Sequence, residues 1–141
     1  MNDENITYPE KKTMDTSHVT RTVDTDGFIR SEPSPATIYA DERDPNAGGA
    51  SHSYRMVGAD GTIYAEITYQ HGPRNEPGST AGIIDIHVLA VVRDRMRAFQ
   101  AGPFACRENA LALTAIEEAM MWLSRRADER AHRGVLGKNA Q

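Results

Sequence analysis

The arginines near the end of the sequence are the residues whose types and spacing best suggest chemistry. Arg126 and Arg130 are four residues apart, so a helix would carry them on one face, with Trp122 one turn before them. Two guanidinium groups on one face can hold phosphate oxygens in bidentate fashion, which predicts anion binding. The alternative is a solvated helix end, where arginines favour the negative pole of the helix dipole and pair with Glu129. The residues alone leave both interpretations open.

Other site chemistries have little support in the sequence. The five histidines lie far apart and form no HxxxH or HxxE arrangement, so we expect no metal site. Cys106 is the only cysteine, which excludes an internal disulfide, and we expect it to pack at a helix start rather than to act as a nucleophile. No glycine-rich phosphate loop is present. Without a metal cluster or an acid-base pair, the sequence argues against an enzyme and indicates no cofactor.

Composition and charge narrow the class of protein further. The chain has 141 residues, 39% of them hydrophobic, with a formal net charge of -4 and a mean hydropathy of -0.57, which suits a small soluble protein. No run approaches the ~18 to 20 apolar residues of a membrane span, and the start MNDENITYPEKK is unlike a signal peptide, so we expect a cytoplasmic protein with no membrane partner. A nucleic-acid polymer is not an expected partner either, because the chain has no strongly basic stripe.

The elements that must position the arginines begin with a sheet region. Residues 1–50 hold ten acidic and five basic residues, several prolines and few large apolar side chains, which predicts an acidic, extended N-terminal arm. Within that arm, Phe28-Ile29 and Thr37-Ile38-Tyr39 are candidates for an edge strand. Residues 51–78 contain two runs of alternating polar and apolar residues around Asp60-Gly61, a pattern typical of a β-hairpin.

Two helices follow in residues 79–137, and residues 138–141 form a tail. The segment GIIDIHVLAVVRDRMRAFQ suits either a buried strand or a helix, and its length favours a helix, with Ser79 or Thr80 placed to cap it. The segment RENALALTAIEEAMMWLSRRADERAHRG predicts a second helix, which Gly134 ends. The expected fold is therefore α+β, a small antiparallel sheet followed by a two-helix antiparallel hairpin. Apolar residues surround the first half of the first helix, so we expect this helix to need two neighbours.

The helical hairpin separates the candidate residues into two groups. Asn109 opens the second helix, and Arg126 lies seventeen residues later, which corresponds to about 25 Å at ~1.5 Å per residue. The short GPFAC connection brings Phe99 close to Asn109 instead. One small ligand cannot bridge both ends of the same hairpin. If all these residues share a site, two hairpins must pack antiparallel, which requires a dimer.

The segment FQAGPFACRENALALTAIEEAMMWLSRRADERAHRGVLG resembles the first type of phage Thoeris anti-defence sponge. That family shares its C-terminal helical hairpin domain with phage anti-CBASS sponges. The resemblance is dense from His71 to Gly137, roughly half of the chain, and includes the GPFACRENALALT turn and helix and the terminal RG-x-x-G. Residues 1–50 carry no part of it.

The resemblance implies a viral protein of the host bacterial cytoplasm that is not an enzyme. It would sequester cyclic ADP-ribose isomers, such as glycocyclic ADP-ribose, that Thoeris TIR-domain sensors produce. The family's pocket residues match Phe99 for stacking adenine, Asn109 for polar groups, and Arg126 and Arg130 for pyrophosphate. Arg74, in the loop before the first helix, is a further candidate for a phosphate or ribose contact. The resemblance also implies dimers that assemble further, as far as a hexamer, and separate binding of CBASS cyclic oligonucleotides in some members.

Three other functions are alternatives to the sequestration of cyclic ADP-ribose isomers. The chain could be a sponge for CBASS cyclic oligonucleotides, alone or in addition. It could be an enzyme that degrades the cyclic nucleotide, against which the missing catalytic groups argue. It could also be a scaffold whose arginines form ion pairs between subunits, in which case no nucleotide binds.

Overall fold

A computed structural model describes residues 10, 12–13, 21–25, 27–29 and 34–134 of the chain. The chain divides into two compact units, Met1–Thr68 and Tyr69–Gln141. The first unit contains a four-stranded antiparallel sheet, and the second contains two helices, so the predicted α+β class is confirmed. The predicted tail at residues 138–141 lies outside the described residues.

The sheet of the first unit has its strands in sequence order. Strands β1 (Arg21–Val23), β2 (Thr37–Ala40), β3 (Ser53–Val57) and β4 (Ile63–Thr68) each pair antiparallel with the next. Part of the segment expected to be an extended arm therefore contributes two strands. The patch at Thr37 is β2, an inner strand rather than an edge strand, because β1 covers its outer side.

The other patch of the predicted arm, Phe28-Ile29, is not a strand. The backbone N–H groups of both residues donate to the Thr25 carbonyl, at 2.9 and 3.1 Å, which folds the segment into a turn. Phe28 is 93% exposed. A turn of this kind cannot offer the free ladder groups that an edge strand needs, so the prediction of a strand here is wrong.

The predicted hairpin around Asp60-Gly61 is confirmed between β3 and β4. The Gly58 N–H donates to the Thr62 carbonyl at 2.8 Å, and the Asp60 carboxylate accepts the Thr62 N–H at 3.0 Å. Gly61 has a φ of 84°, a left-handed conformation that glycine adopts without a steric penalty. Sequence and structure agree here because turn chemistry is local.

The sheet has two chemically distinct faces, as a period of two residues requires. Arg55 of β3 and Glu66 of β4 are cross-strand partners on the polar face, where their side chains meet at 3.2 Å. The opposite face carries the apolar pairs Tyr54–Ile67 and Met56–Ala65. Among the described residues, the buried hydrophobic side chains are Ala40 and Val57, both in this sheet.

The second unit begins with a looped segment before its helices. The backbones of His71 and Thr80 bond to each other in both directions, at 2.9 and 2.8 Å, and Tyr69 forms a parallel bridge with Ile83. These contacts keep residues 79–83 extended. The helix therefore begins at Asp85 instead of directly after Ser79 or Thr80, and the prediction that one of these residues caps it is wrong.

Helices α1 (Asp85–Ala101) and α2 (Arg107–His132) have ends that local contacts explain. Ile84 is the N-cap of α1, and its backbone N–H donates to His87 Nδ1 at 3.1 Å. Cys106 caps α2, and its Sγ accepts the Asn109 N–H at 3.4 Å, which fits the predicted role of this cysteine at a helix start. Gly134, with a φ of 71°, ends α2 as predicted.

The two helices pack against each other as a hairpin whose core is thin. Arg93 of α1 and Glu117 of α2 form an ion pair at 2.8 Å midway along the helices, which fixes their antiparallel pairing. Neither helix contains a buried residue. Several large apolar side chains of this unit are exposed, namely Val91, Val92, Phe104, Leu111, Met121 and Trp122. A hairpin of this kind leaves much apolar surface for a further neighbour.

No helix within the described ranges combines the length and the apolar character that crossing a membrane would require.

Candidate functional site

The second unit contains a cleft of about 610 Å³ where the end of α2 faces the start of α1 and the loop before it. We call this cleft the arginine cleft. Its lining residues are Gln70, Pro73, Arg74, Asn75, Glu76, Ile84, Asp85, Ile86, Leu123, Arg126, Ala127 and Arg130. A space of this size is in the range of small-molecule sites, which typically hold ~300 to 1,000 Å³.

The two arginines of α2 reach the cleft because of helical spacing. Arg126, Ala127 and Arg130 occupy one side of the last turns, next to Leu123. Arg130 is half-buried, whereas Arg126 is exposed. Glu129, which the sequence offered as a partner for them, lies 3.6 Å from Arg133. The position of Arg126 and Arg130 in a cleft supports their interpretation as an anion site.

The opposite wall of the arginine cleft is a loop held by backbone bonds. The side chain of Gln70 connects the two ends of the loop. Its Nε2 donates to the Gly72 carbonyl at 3.1 Å, and its Oε1 accepts the Gly82 N–H at 3.3 Å. Gly72 has a φ of 86°, and a Cβ there would lie 2.7 Å from Ser79 Oγ. Only glycine fits this position without strain. The loop can therefore hold Arg74 beside the cleft in a fixed backbone geometry.

Two carboxylates also line the arginine cleft, and sequence reasoning did not identify them as site residues. Glu76 comes from the loop and Asp85 from the first turn of α1. The sequence does not indicate that Glu76 and Asp85 lie near Arg126, because only the packing of the loop and α1 beside α2 brings these residues to one cleft. The cleft is thus mixed in charge, with three guanidinium groups and two carboxylates.

The other end of the hairpin carries an aromatic group around Phe99. The Phe99 and Phe104 rings meet edge to face, with centroids 6.2 Å apart and planes at 82°, and the Arg95 guanidinium lies 5.5 Å from the Phe99 centroid. The Asn109 amide donates to the Phe104 carbonyl at 3.2 Å, which ties the turn to the start of α2. We call these four residues the turn cluster. It offers a π surface and polar groups, as base recognition requires.

The five predicted site residues therefore fall into two places in one chain. Arg74, Arg126 and Arg130 line the arginine cleft, whereas Phe99 and Asn109 belong to the turn cluster. Asn109 and Arg126 lie on the same helix, seventeen residues apart, which is about 25 Å along the axis. A ligand that contacts all five residues must lie between two chains.

The chemistry available in the two places is binding chemistry. Arginines hold phosphate oxygens, an aromatic ring stacks on a base, and amides and carboxylates bond to hydroxyl and ring nitrogen groups. The only cysteine, Cys106, uses its Sγ to cap α2.

Comparisons with known proteins match the part of the chain that contains β4 and most of the two helices. The model of the family described as "Acb2/Tad1, hairpin domain" matches residues 61–128. "Thoeris anti-defense 1" of Bacillus phage SBSphiJ7 is 45% identical over 73 residues, which are 52% of this chain and 51% of that protein. The chain thus spans about half the length of the curated relative it matches. Both matches agree with the resemblance drawn from the sequence.

Proposed function

Because residues 61–128 match the model of the Acb2/Tad1 hairpin-domain family, we propose that the chain is a phage anti-Thoeris protein that acts in the host cytoplasm. It binds cyclic ADP-ribose-type immune signals, including glycocyclic ADP-ribose, and holds them away from the Thoeris effector. It does not cleave them. Sequestration needs affinity and no chemical step, which agrees with a site built from arginines and aromatic rings.

The arginine cleft is the observation that carries this proposal. Arg126 and Arg130 present guanidinium groups from the same side of α2, and Arg74 adds a third from the facing loop. Pyrophosphate carries negative charge on both phosphates, and bidentate arginine contacts are among the strongest hydrogen bonds available to it. A cleft excludes part of the solvent, so these contacts are worth more than they would be on an open surface.

The turn cluster supplies the second half of the proposed site. Adenine stacks on Phe99, and the Asn109 amide bonds to a polar edge of the ligand. Since Phe99 and Arg126 are too far apart within one chain, the turn cluster of one copy meets the arginine cleft of another. The protein is therefore a homodimer or a higher homo-oligomer, and the ligand lies between subunits.

Apolar surface on both helices supports assembly. Val88, Val92 and Phe99 share a face of α1 that lies roughly 120° around the helix from Arg93, which pairs with α2. Leu111 and Trp122 of α2, each 53% exposed, are also on one face, directed away from the α1 side of that helix. Burying such faces between copies would bring the turn cluster into an interface and lower the free energy of both hairpins.

A sequestration assay tests the proposed function. The purified protein is incubated with a cyclic ADP-ribose isomer made by a TIR enzyme, and effector activation by the supernatant is measured before and after heat denaturation. We expect activation to be lost and then to return on heating, because intact ligand is released. Loss without return would mean degradation. No loss would refute binding of this ligand class, and the same assay with cyclic oligonucleotides would then test the alternative sponge.

Matched variants tie the result to the site. Arg126→Ala should weaken binding about tenfold to a hundredfold, because a charged hydrogen-bonding group contributes ~1.5 to 3 kcal/mol. Arg133→Ala is the control, since Arg133 lies at the end of the same helix, pairs with Glu129 at 3.6 Å and does not line the cleft. Equal loss in both variants would indicate general electrostatic attraction instead of a site.

A further inference from the structure

The arginine cleft carries more acidic character than a site for phosphate alone would need. Glu76 and Asp85 both line it, opposite Arg126 and Arg130. A carboxylate near bound phosphates lowers affinity unless it bonds to something else on the ligand. Two such groups in one cleft suit a ligand that also offers hydrogen-bond donors. On a nucleotide whose base stacks elsewhere, the strongest paired donors are ribose hydroxyls.

Glu76 has the position of a preorganised contact. Its backbone N–H donates to the Pro73 carbonyl at 3.2 Å, and its carbonyl accepts the Ser79 N–H at 3.3 Å. The residue therefore ends one turn of the loop and begins the next. Both bonds fix its backbone while its side chain stays exposed beside the cleft. Its backbone loses little conformational entropy when the carboxylate binds, so the cost of ordering falls on the side chain alone.

Asp85 is the weaker candidate of the two. It is the first residue of α1, where a carboxylate interacts favourably with the positive end of the helix dipole. That position accounts for an acidic residue without a ligand. Glu76 lies in a loop instead, where no helix dipole acts on its carboxylate.

We propose that Glu76 is a specificity-determining residue whose carboxylate accepts hydrogen bonds from the vicinal diol of a ribose while Arg126 and Arg130 hold the pyrophosphate. This inference rests on the proposed function and assigns a recognition task within the same cleft. Two carboxylate oxygens match the spacing of two neighbouring hydroxyls, as acidic residues in dinucleotide sites show. Glu76 thus distinguishes ligands with a free diol from ligands that present phosphate alone.

The ligand's chemistry indicates which ribose Glu76 contacts. In a glycocyclic isomer, the second ribose is joined through an oxygen of the adenosine ribose, so the adenosine ribose no longer has a free vicinal diol. The second ribose keeps both of its hydroxyls. Glu76 then contacts the second ribose, and the arginines hold the phosphates between the two sugars.

Isothermal titration of the full chain tests this assignment with three probes. The probes are a glycocyclic ADP-ribose, its analogue that lacks the 2″ hydroxyl of the second ribose, and inorganic pyrophosphate. A TIR enzyme makes the analogue from the dinucleotide substrate that lacks the same hydroxyl. The variant is Glu76→Gln, which keeps the size of the side chain and removes its charge. Asp94→Asn is the control, because Asp94 is an exposed acidic residue of α1 that does not line the cleft.

We expect opposite effects of Glu76→Gln on different probes. Affinity for the parent ligand falls about tenfold, because hydrogen bonds to a charged group are lost. Affinity for the deoxy analogue changes by less than about threefold, and affinity for pyrophosphate rises about twofold or more as a repulsive charge disappears. Asp94→Asn leaves the parent ligand within about twofold.

Two results overturn the proposal in distinguishable ways. If Glu76→Gln binds the parent ligand as tightly as the unchanged protein or more tightly, Glu76 is only a repulsive charge, although the sponge function stands. If the unchanged protein binds neither cyclic ligand, the proposed function fails together with this inference. Thermal unfolding of the variant, expected within about 2 °C of the unchanged protein, shows that any loss is not a folding defect.

Discussion

Mixing two weakly binding variants offers the sharpest test of a site shared between chains. Phe99→Ala removes the stacking surface from the turn cluster, and Arg126→Ala removes a guanidinium from the arginine cleft. Alone, each variant should bind a cyclic ADP-ribose isomer about ten to a hundredfold more weakly, because base stacking contributes ~1 to 3 kcal/mol and a charged hydrogen bond contributes a similar amount. Neither variant contains a complete site.

The mixture should recover binding because the two changes then fall on different chains. In a dimer of one variant with the other, one interface site carries both changes and the second site carries neither. Random pairing of equal amounts yields mixed dimers in about half of the assemblies, so about one site in four should bind with the affinity of the unchanged protein. This result depends on the separation of about 25 Å along α2 between Asn109 and Arg126, which prevents one chain from supplying both ends.

The assay is titration of the mixed sample after unfolding and joint refolding, with native mass spectrometry to confirm mixed assemblies. A tight phase with a stoichiometry near one quarter of the sites supports the shared site. The control is a mixture of Arg126→Ala with Arg130→Ala, which both change the cleft. This mixture should recover no tight binding, because each site of a mixed dimer still contains one changed cleft. If mixed dimers form and the first mixture recovers nothing, the reasoning from helix geometry is refuted.

Two further predictions concern stability. Gly72→Ala should lower the free energy of unfolding of the second unit by about 2 kcal/mol, and Gly134→Ala should lower it by about 1 kcal/mol. Both glycines have a positive φ, but a Cβ at Gly72 would also lie 2.7 Å from Ser79 Oγ. Urea denaturation measures both, and equal effects would contradict the steric argument. A double-mutant cycle of Arg93→Ala and Glu117→Ala should give a coupling below about 1 kcal/mol, since the side chains are 37% and 43% exposed. A coupling of several kcal/mol would mean that the pair is buried in an assembly.

Local sequence signals predicted the elements whose causes are local. The Asp60-Gly61 hairpin follows from a turn that one aspartate and one glycine specify. The two helices follow from length, apolar spacing and, for α2, a glycine stop at Gly134. In α2, apolar residues at steps of three and four, such as Leu113 and Met120, are half-buried, whereas Glu118 on the opposite side of the helix is exposed.

The errors fall where a distant segment decides the structure. Threonine often caps helices, yet the backbone of Thr80 hydrogen-bonds to His71 and stays extended. Strand β1 is three residues long and pairs with β2, and nothing in so short a polar segment identifies its partner. Sequence analysis missed Glu76 as a cleft residue for the same reason, since only the folded loop brings it to the cleft beside the end of α2.

The thin core of the hairpin connects stability with the proposed function. A helix pair in which neither helix has a buried residue gains little free energy from burial, and most of the remaining apolar surface lies on faces directed away from the pair. A second copy would cover such faces and contribute the missing burial. The same packing would bring Phe99 of one chain to the arginines of another, so assembly and ligand binding would stabilise each other by linkage. Substitutions on the exposed face of α2, such as Trp122→Asp, should then weaken ligand binding and assembly together, although Trp122 does not line the arginine cleft. Assembly lost with affinity unchanged would show that one chain holds the whole site.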